Sequence, residues 1–290
     1  MQVVKRFYAG MNLASDSFLL LWNNKKLLLY LLGLVGIYFL VQTVLSNMPL
    51  LGIPGDELSL IVTLQGLHYT IFELSRWFYS FAILLATFFY AFLLTFFNVA
   101  LIKHTAAILH GATSVSVRKM LRESASEWKK ILFWALIFTI ISYGLHTIAY
   151  SAGFLSYGLS SISLSIVSFI ALLWLLATYV VLPLIALQKY NVFAAIIRSM
   201  TIVRAIFVEL LGAQFWIFLV LVLCFAPLMI LMQIFGDKGI LGLIHIFVSW
   251  ILILLGYVIL TVQMILKVLL YEKGKDALDR RGFWRVLFHR

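Results

Sequence analysis

Six long apolar stretches without a single formal charge govern what this chain can fold into. They run over residues 27–45, 77–101, 131–150, 164–187, 212–235 and 241–266, and none contains Asp, Glu, Lys or Arg. A bilayer core of roughly 30 Å is crossed by about 20 helical residues, so each stretch is long enough to span it. The runs lack the period-two alternation of a barrel wall. A helix, in contrast, satisfies its own backbone hydrogen bonds in lipid. The chain as a whole agrees. Its 290 residues are 64% hydrophobic and 11% charged, where soluble domains run about half apolar and a quarter charged. The expected fold is all-α: one integral membrane domain, residues 1–290, built as a polytopic bundle of six transmembrane helices. Soluble-enzyme and DNA-binding readings fall away, because a soluble globule of this composition would expose large apolar surfaces.

The cations set the orientation. With the N-terminus placed in the cytoplasm, 20 of the 22 Lys and Arg fall on the cytoplasmic side, leaving Arg76 and Lys238 opposite. By the positive-inside rule this asymmetry predicts six spans with both termini cytoplasmic, in a cytoplasmic (inner) membrane. The net charge of +11 belongs to the same asymmetry. The basic residues lie close to span ends, where each contributes about 1 kcal/mol against an anionic leaflet. The expected partners are therefore membrane lipids, especially the anionic inner leaflet, and no nucleic acid. The first apolar run has full span length and no small-residue cleavage site after it, so it is expected to remain as a span. The single cysteine, Cys224, excludes an intrachain disulfide and a cysteine pair for metal.

Three cytoplasmic segments are amphipathic at helical spacing and lead into spans. The first carries Val3, Phe7, Met11, Ala14 and Phe18 on one face; the second Val117, Met120, Leu121 and Trp128; the third Phe193, Ile196, Ile197, Met200 and Val203. Ser116 and Asn191 stand where the second and third helices would be capped. Such helices are expected to lie at the interface, apolar side toward lipid, basic residues at the headgroups. Arg118, Lys119, Arg122 and Arg198 are the headgroup contacts this predicts. In the basic tail 271–290, Arg285 among Phe283, Trp284 and Phe288 predicts another; protein binding by the tail is the alternative. Alignment on Ser15, Ser124 and Ser199 suggests a repeat of surface helix plus two spans, over 1–110, 111–190 and 191–270. Any six-span chain also has three inner connections, so the pattern carries two readings. The long outer segment 46–76 has a stripe through Leu58, Ile61, Leu64, Leu67, Ile71 and Leu74. It either lies on the outer surface or extends the second span.

Few side chains suggest chemistry. Intramembrane acids and bases mark proton paths and voltage sensors, and only His146 and His245 lie within the apolar stretches. Together with Glu73 they form a metal or proton site on one reading, and interfacial histidines on the other. Asn98 and Gln263 sit near cytoplasmic span ends, where interhelical hydrogen bonding is the plain reading. Pro183 and Pro227 interrupt the fourth and fifth spans, either as kinks or as the breaks that surround a transported substrate. No phosphate loop, zinc signature or nucleophile elbow is present, so no cofactor, metal or catalytic residue is expected.

Several segments carry a resemblance. They are Phe97-Asn98-Val99-Ala100, the run from Trp174 to Pro183 followed by Ala194-Ala195-Ile196-Ile197-Arg198-Ser199, and Leu270-Tyr271. The chain resembles an uncharacterised prokaryotic six-span membrane family, similar to the membrane domain of bacterial glycerophosphodiester phosphodiesterases. The resemblance implies surface helices with a central serine preceded by a basic residue, here Arg198-Ser199. It carries over no catalytic residue, because no soluble phosphodiesterase domain accompanies the spans. The functional expectation is a non-enzymatic accessory, scaffold or lipid-organising factor. A transporter or channel for a neutral or lipidic substrate is the alternative. Reporter fusions after Arg118 and after Arg285 are expected to report the same, cytoplasmic side; signals from opposite sides would contradict this topology.

Overall fold

The computed structural model describes residues 2–30, 32–33, 35–36, 67–112, 115–152, 157–235 and 240–281; side chains at 67–80, 82–83, 146, 149–163, 232–246 and 277–281 stand outside the description. The described residues are almost entirely helical, without strands. In chain order the α-helices are α1 (Gln2–Asn23), α2 (Leu67–Leu109), α3 (Val117–Ala125), α4 (Trp128–Ala152), α5 (Tyr157–Ala177), α6 (Val181–Gln188), α7 (Val192–Ala205), α8 (Phe207–Phe235) and α9 (Ile240–Arg281). A short 3₁₀ turn, Lys25–Leu27, follows α1.

Five helical stretches are long and apolar enough to cross a membrane: Leu84–Leu109, Trp128–Leu145, Leu164–Gln188, Phe207–Leu231 and Phe247–Asp276. They correspond to the second through sixth apolar runs. The first run, 27–45, falls mostly outside the described residues, as do the outer stripe before Leu67 and the tail beyond Arg281 with Arg285. Only 6% of the apolar window of α8 is buried within the protein. Phe215, Phe218, Val222, Leu223, Met229 and Ile230 all point outward from it. That much apolar surface is stable only in an apolar solvent, and the chain is a membrane-embedded helical protein.

The packed core gathers at one end of the bundle, here called the base. It joins Leu101 and Ile102 of α2, Ile131 of α4, Leu184 and Ile185 of α6, Ile202 of α7, Leu210 of α8 and Leu266 of α9. The amphipathic segments are built into this core. Helix α1 packs along α8 and α9, burying Gly10, Ala14, Ser17 and Leu21 at helical spacing. The contact is close because glycines face backbone on both sides. A Cβ on Gly10 would collide with the Glu209 carbonyl oxygen, and one on Gly212 with that of Phe7. Gly33 meets the Phe97 ring in the same way, while Gly36 has open space.

The second surface segment departs from expectation. The apolar face of α3 is covered by protein: Met120 is buried, and Val117 and Leu121 pack on the core. Only Trp128, at the start of α4, remains exposed. Its neighbours on α2 reach the face first, because α2 continues to Leu109 and the chain folds straight back. Helix α7 divides its apolar residues. Val192, Ala195, Ile202 and Val203 point into the base, while Phe193, Ile197 and Met200 point outward.

Helix ends also differ. Asn191 caps α7, its side-chain oxygen accepting from Ala194 N at 2.8 Å. Ser116 occupies the cap position of α3 without a side-chain bond; the turn is exposed, so its amides need no protein acceptor. Helix α2 runs back to Leu67, so from there the outer stripe is continuous with the second span. Helix α9 runs on past the apolar run to Arg281.

Gly10→Ala and Gly212→Ala are each expected to destabilise the protein by about 1–3 kcal/mol, as overpacking at a close contact does. Gly256→Ala, which meets nothing within 4 Å, is the control. Thermal unfolding in mild detergent checks the order; equal stability of all three variants would contradict the α1–α8 contact.

Candidate functional site

The polar side chains of the base divide into those locked in protein contacts and those left facing outward. Two ion pairs, one half-buried and one nearly enclosed, do the locking. Arg6 of α1 grips Glu209 of α8 through Nε to Oε1 at 2.9 Å and Nη2 to Oε2 at 2.7 Å, and also donates to the Ala205 carbonyl. The Glu209 hydrogen bond raises the Arg6 pKa above its ordinary value, against the opposing effect of burial. Lys103 of α2 donates to Glu127 Oε1 at 2.8 Å and to the Glu123 carbonyl at 2.9 Å. Its side chain and that of Glu127 are only 10% and 8% exposed. Among the described residues Glu127 Oε2 has no hydrogen-bond partner. This pair fastens the α3–α4 turn to α2. Lys130 adds a bond to the Lys189 carbonyl, joining α4 to the turn after α6.

Neutral contacts complete the base. Tyr30 OH meets His104 Nδ1 at 3.0 Å in a buried pair, with the rings edge to face. The α5–α6 junction is a break in the helix at Thr178–Val180. Pro183 accounts for it, since it has no N–H to give the Tyr179 carbonyl and its ring crowds that carbonyl. The freed Val180 amide donates instead to Ser199 Oγ of α7 at 3.3 Å. Beside the break, Gln214 Nε2 donates to Tyr179 OH at 2.8 Å, and Gln263 Nε2 donates to Gln214 Oε1 at 3.0 Å. The Lys267 ammonium lies 5.2 Å from the centre of the Tyr179 ring. Pro227 lies inside α8, which continues through it.

Of the predicted headgroup contacts, Arg118, Lys119 and Arg122 are all exposed on one helix, α3. Arg198 is half-buried, its Cζ 6.0 Å from the centre of the Tyr190 ring. Arg285 lies outside the described residues. Asn98 is 4% exposed in the core of α2, and Gln263 belongs to the hydrogen-bonded group above. Glu73, His146 and His245 sit on α2, α4 and α9, and their side chains lie outside the described residues. Among the described residues no group of three or more His, Cys, Asp or Glu is placed to hold a metal.

Sequence reasoning did not find Arg6–Glu209, Lys103–Glu127, Tyr30–His104 or Gln214. A usable signal existed for two of them. Glu127 and Glu209 are acids at the very start of apolar helices, where a charge entering lipid needs a partner. With this geometry in hand, comparison with known proteins adds no relative: no family model, curated protein or solved structure matches the chain. What the fold defines is a class, the helical membrane-embedded protein, and nothing narrower.

Glu127→Gln leaves Lys103 without its counter-charge inside the base and is expected to cost about 3–5 kcal/mol. The double variant Lys103→Met/Glu127→Leu should recover most of that loss. A double-mutant cycle from chemical unfolding in detergent reads the coupling; strictly additive losses would show that the pair does not interact.

Proposed function

We propose that this chain is a six-span integral protein of a bacterial cytoplasmic membrane that performs no chemistry itself. It acts as an accessory, scaffold or lipid-organising factor whose base sits in the inner leaflet with both termini in the cytoplasm. One observation carries this reading: α3 turns Arg118, Lys119 and Arg122 outward on a helix whose apolar face is already covered by the bundle. A helix held that way has its cations free to meet an anionic surface without itself partitioning into lipid. Two further features agree. Phe193, Ile197 and Met200 of α7 offer apolar anchors at the same end of the bundle. The strong cation asymmetry of the sequence assigns that end to the inside. The resemblance to membrane domains of glycerophosphodiester phosphodiesterases fits a protein that handles lipid environment rather than catalysis.

A second reading, transport of a neutral or lipidic substrate, draws on the break at Thr178–Val180 beside Tyr179, Gln214 and Gln263. Discontinuous spans beside polar side chains are how many transporters hold cargo. Here the freed amide and the three side chains are satisfied by one another and by Ser199, which favours a packed junction.

The lipid reading is tested with a depth-sensitive fluorophore at Ser126, introduced as cysteine in a Cys224→Ser background. Ser126 is exposed just after α3. In bilayer discs the probe should move toward the headgroups when anionic lipid replaces zwitterionic lipid. Neutralising Arg118, Lys119 and Arg122 to Gln should remove about 3 kcal/mol of attraction, at roughly 1 kcal/mol per cation, and abolish the shift. A shift unchanged in the triple variant would overturn the assignment.

A further inference from the structure

The cations of α3 do not act alone, because the fold brings a distant segment beside them. One groove of about 420 Å³ is lined by Lys26 and Leu29, at the start of the first apolar run, and by Val115, Ser116, Val117 and Arg118. An adjoining groove of about 690 Å³ is lined by Ser116, Arg118, Lys119, Leu121, Arg122 and Ala125. Ser116 and Arg118 line both, so the two form one depression with two lobes and Arg118 at the divide.

The charge in this depression is unbalanced. Lys26, Arg118, Lys119 and Arg122 are all exposed. None of the residues lining either lobe is acidic, and Glu123 lies 4.0 Å from Lys119 Nζ. Two cations belong to the first lobe and three to the second, with Arg118 in common. The walls between them are apolar: Leu29 is half exposed, and Val117 and Leu121 rest on the core. Cations in two lobes separated by apolar surface, at the end of a membrane bundle, match an amphiphile with two anionic groups. A soluble anion would have no use for the apolar walls.

We propose that this depression seats the headgroup of an anionic phospholipid that carries two phosphates. One phosphate sits between Lys26 and Arg118, the other among Arg118, Lys119 and Arg122. The glycerol and first acyl carbons lie over Leu29 and Leu121. The proposal rests on the reading that places the base in the inner leaflet, and narrows it to one lipid class. Arginine suits the shared position, because its planar guanidinium presents donors on two edges and can bond two phosphates at once. Joining the phosphates in one molecule makes the second contact intramolecular. A two-phosphate lipid is then held more tightly than two single-phosphate lipids of the same total charge.

The experiment uses the full chain in bilayer discs of two compositions matched in surface charge, one with diphosphatidylglycerol and one with twice the molar amount of phosphatidylglycerol. Retained lipid is counted by native mass spectrometry after gentle release. The expected result is a preference of at least about tenfold for diphosphatidylglycerol, lost in both Lys26→Gln and Arg118→Gln. Lys5→Gln, exposed on α1 away from the depression, should keep the preference, and unfolding temperatures confirm that the variants are folded. Equal retention at matched charge would overturn the two-phosphate seat while leaving the general lipid reading intact. A preference that survives Lys26→Gln would likewise overturn it, because the first lobe would then be idle. Retention of neither anionic lipid by the full chain would remove both this inference and the function it rests on.

Discussion

Lipid withdraws the force that normally holds helices together. A leucine gains little by leaving hydrocarbon for the flank of another helix, so adhesion inside a bilayer comes from close packing and from polar contacts. The base of this protein is assembled on those terms. Glycines bring α1 and α8 into backbone contact, with Gly10 against Glu209 and Gly212 against Phe7. The same crossing carries the Arg6–Glu209 pair. Close approach and charge pairing reinforce each other, since a short distance between helices is what lets a side chain reach its partner directly. The rest of the base depends on this seam, because α9 packs against both helices.

Serine is the recurring small residue. Each of α1, α3 and α7 buries one completely: Ser17, Ser124 and Ser199. Two return their hydroxyl to their own helix, Ser17 to the Leu13 carbonyl and Ser124 to that of Met120. A buried hydroxyl satisfied in this way occupies little more room than a methyl group and leaves no unpaired donor. Ser199 works outward, accepting the Val180 amide left unpaired at the helix break in the neighbouring span. The helix break and the surface helix thus complete one another.

Much of this fold was legible in the sequence, for a reason tied to lipid. Length and lack of charge alone specify a spanning helix, so five of the runs could be read without knowing any partner. Amphipathic spacing likewise located α1, α3 and α7, and Asn191 was recognisable as a cap because its bond is local. What could not be read was which side each helix turns to what. The apolar face of α3 has the same pattern whether it meets lipid or protein, and only the length of α2 decides for protein. In α7 a band that reads as one stripe is divided between core and exterior. The first buried serine is Ser17, two positions beyond the Ser15 that pattern alignment selects. The ion pairs were hidden by distance: Arg6 and Glu209 are 203 positions apart, and nothing local to either names the other. Lys26 counted only as one more inside cation until the fold set it beside Arg118.

The central claim is that the amphipathic helices are structural members of a rigid base, not loosely attached interfacial segments. Hydrogen exchange of the protein in lipid discs measures this directly. The account predicts that amides of residues 10–21 and of α7 exchange as slowly as those of residues 98–106 in the core of α2, and that residues 110–112 exchange far faster. Fast exchange in α1 and α7 alongside slow exchange in the spans would contradict it, because helices resting on the bilayer surface open independently of the bundle.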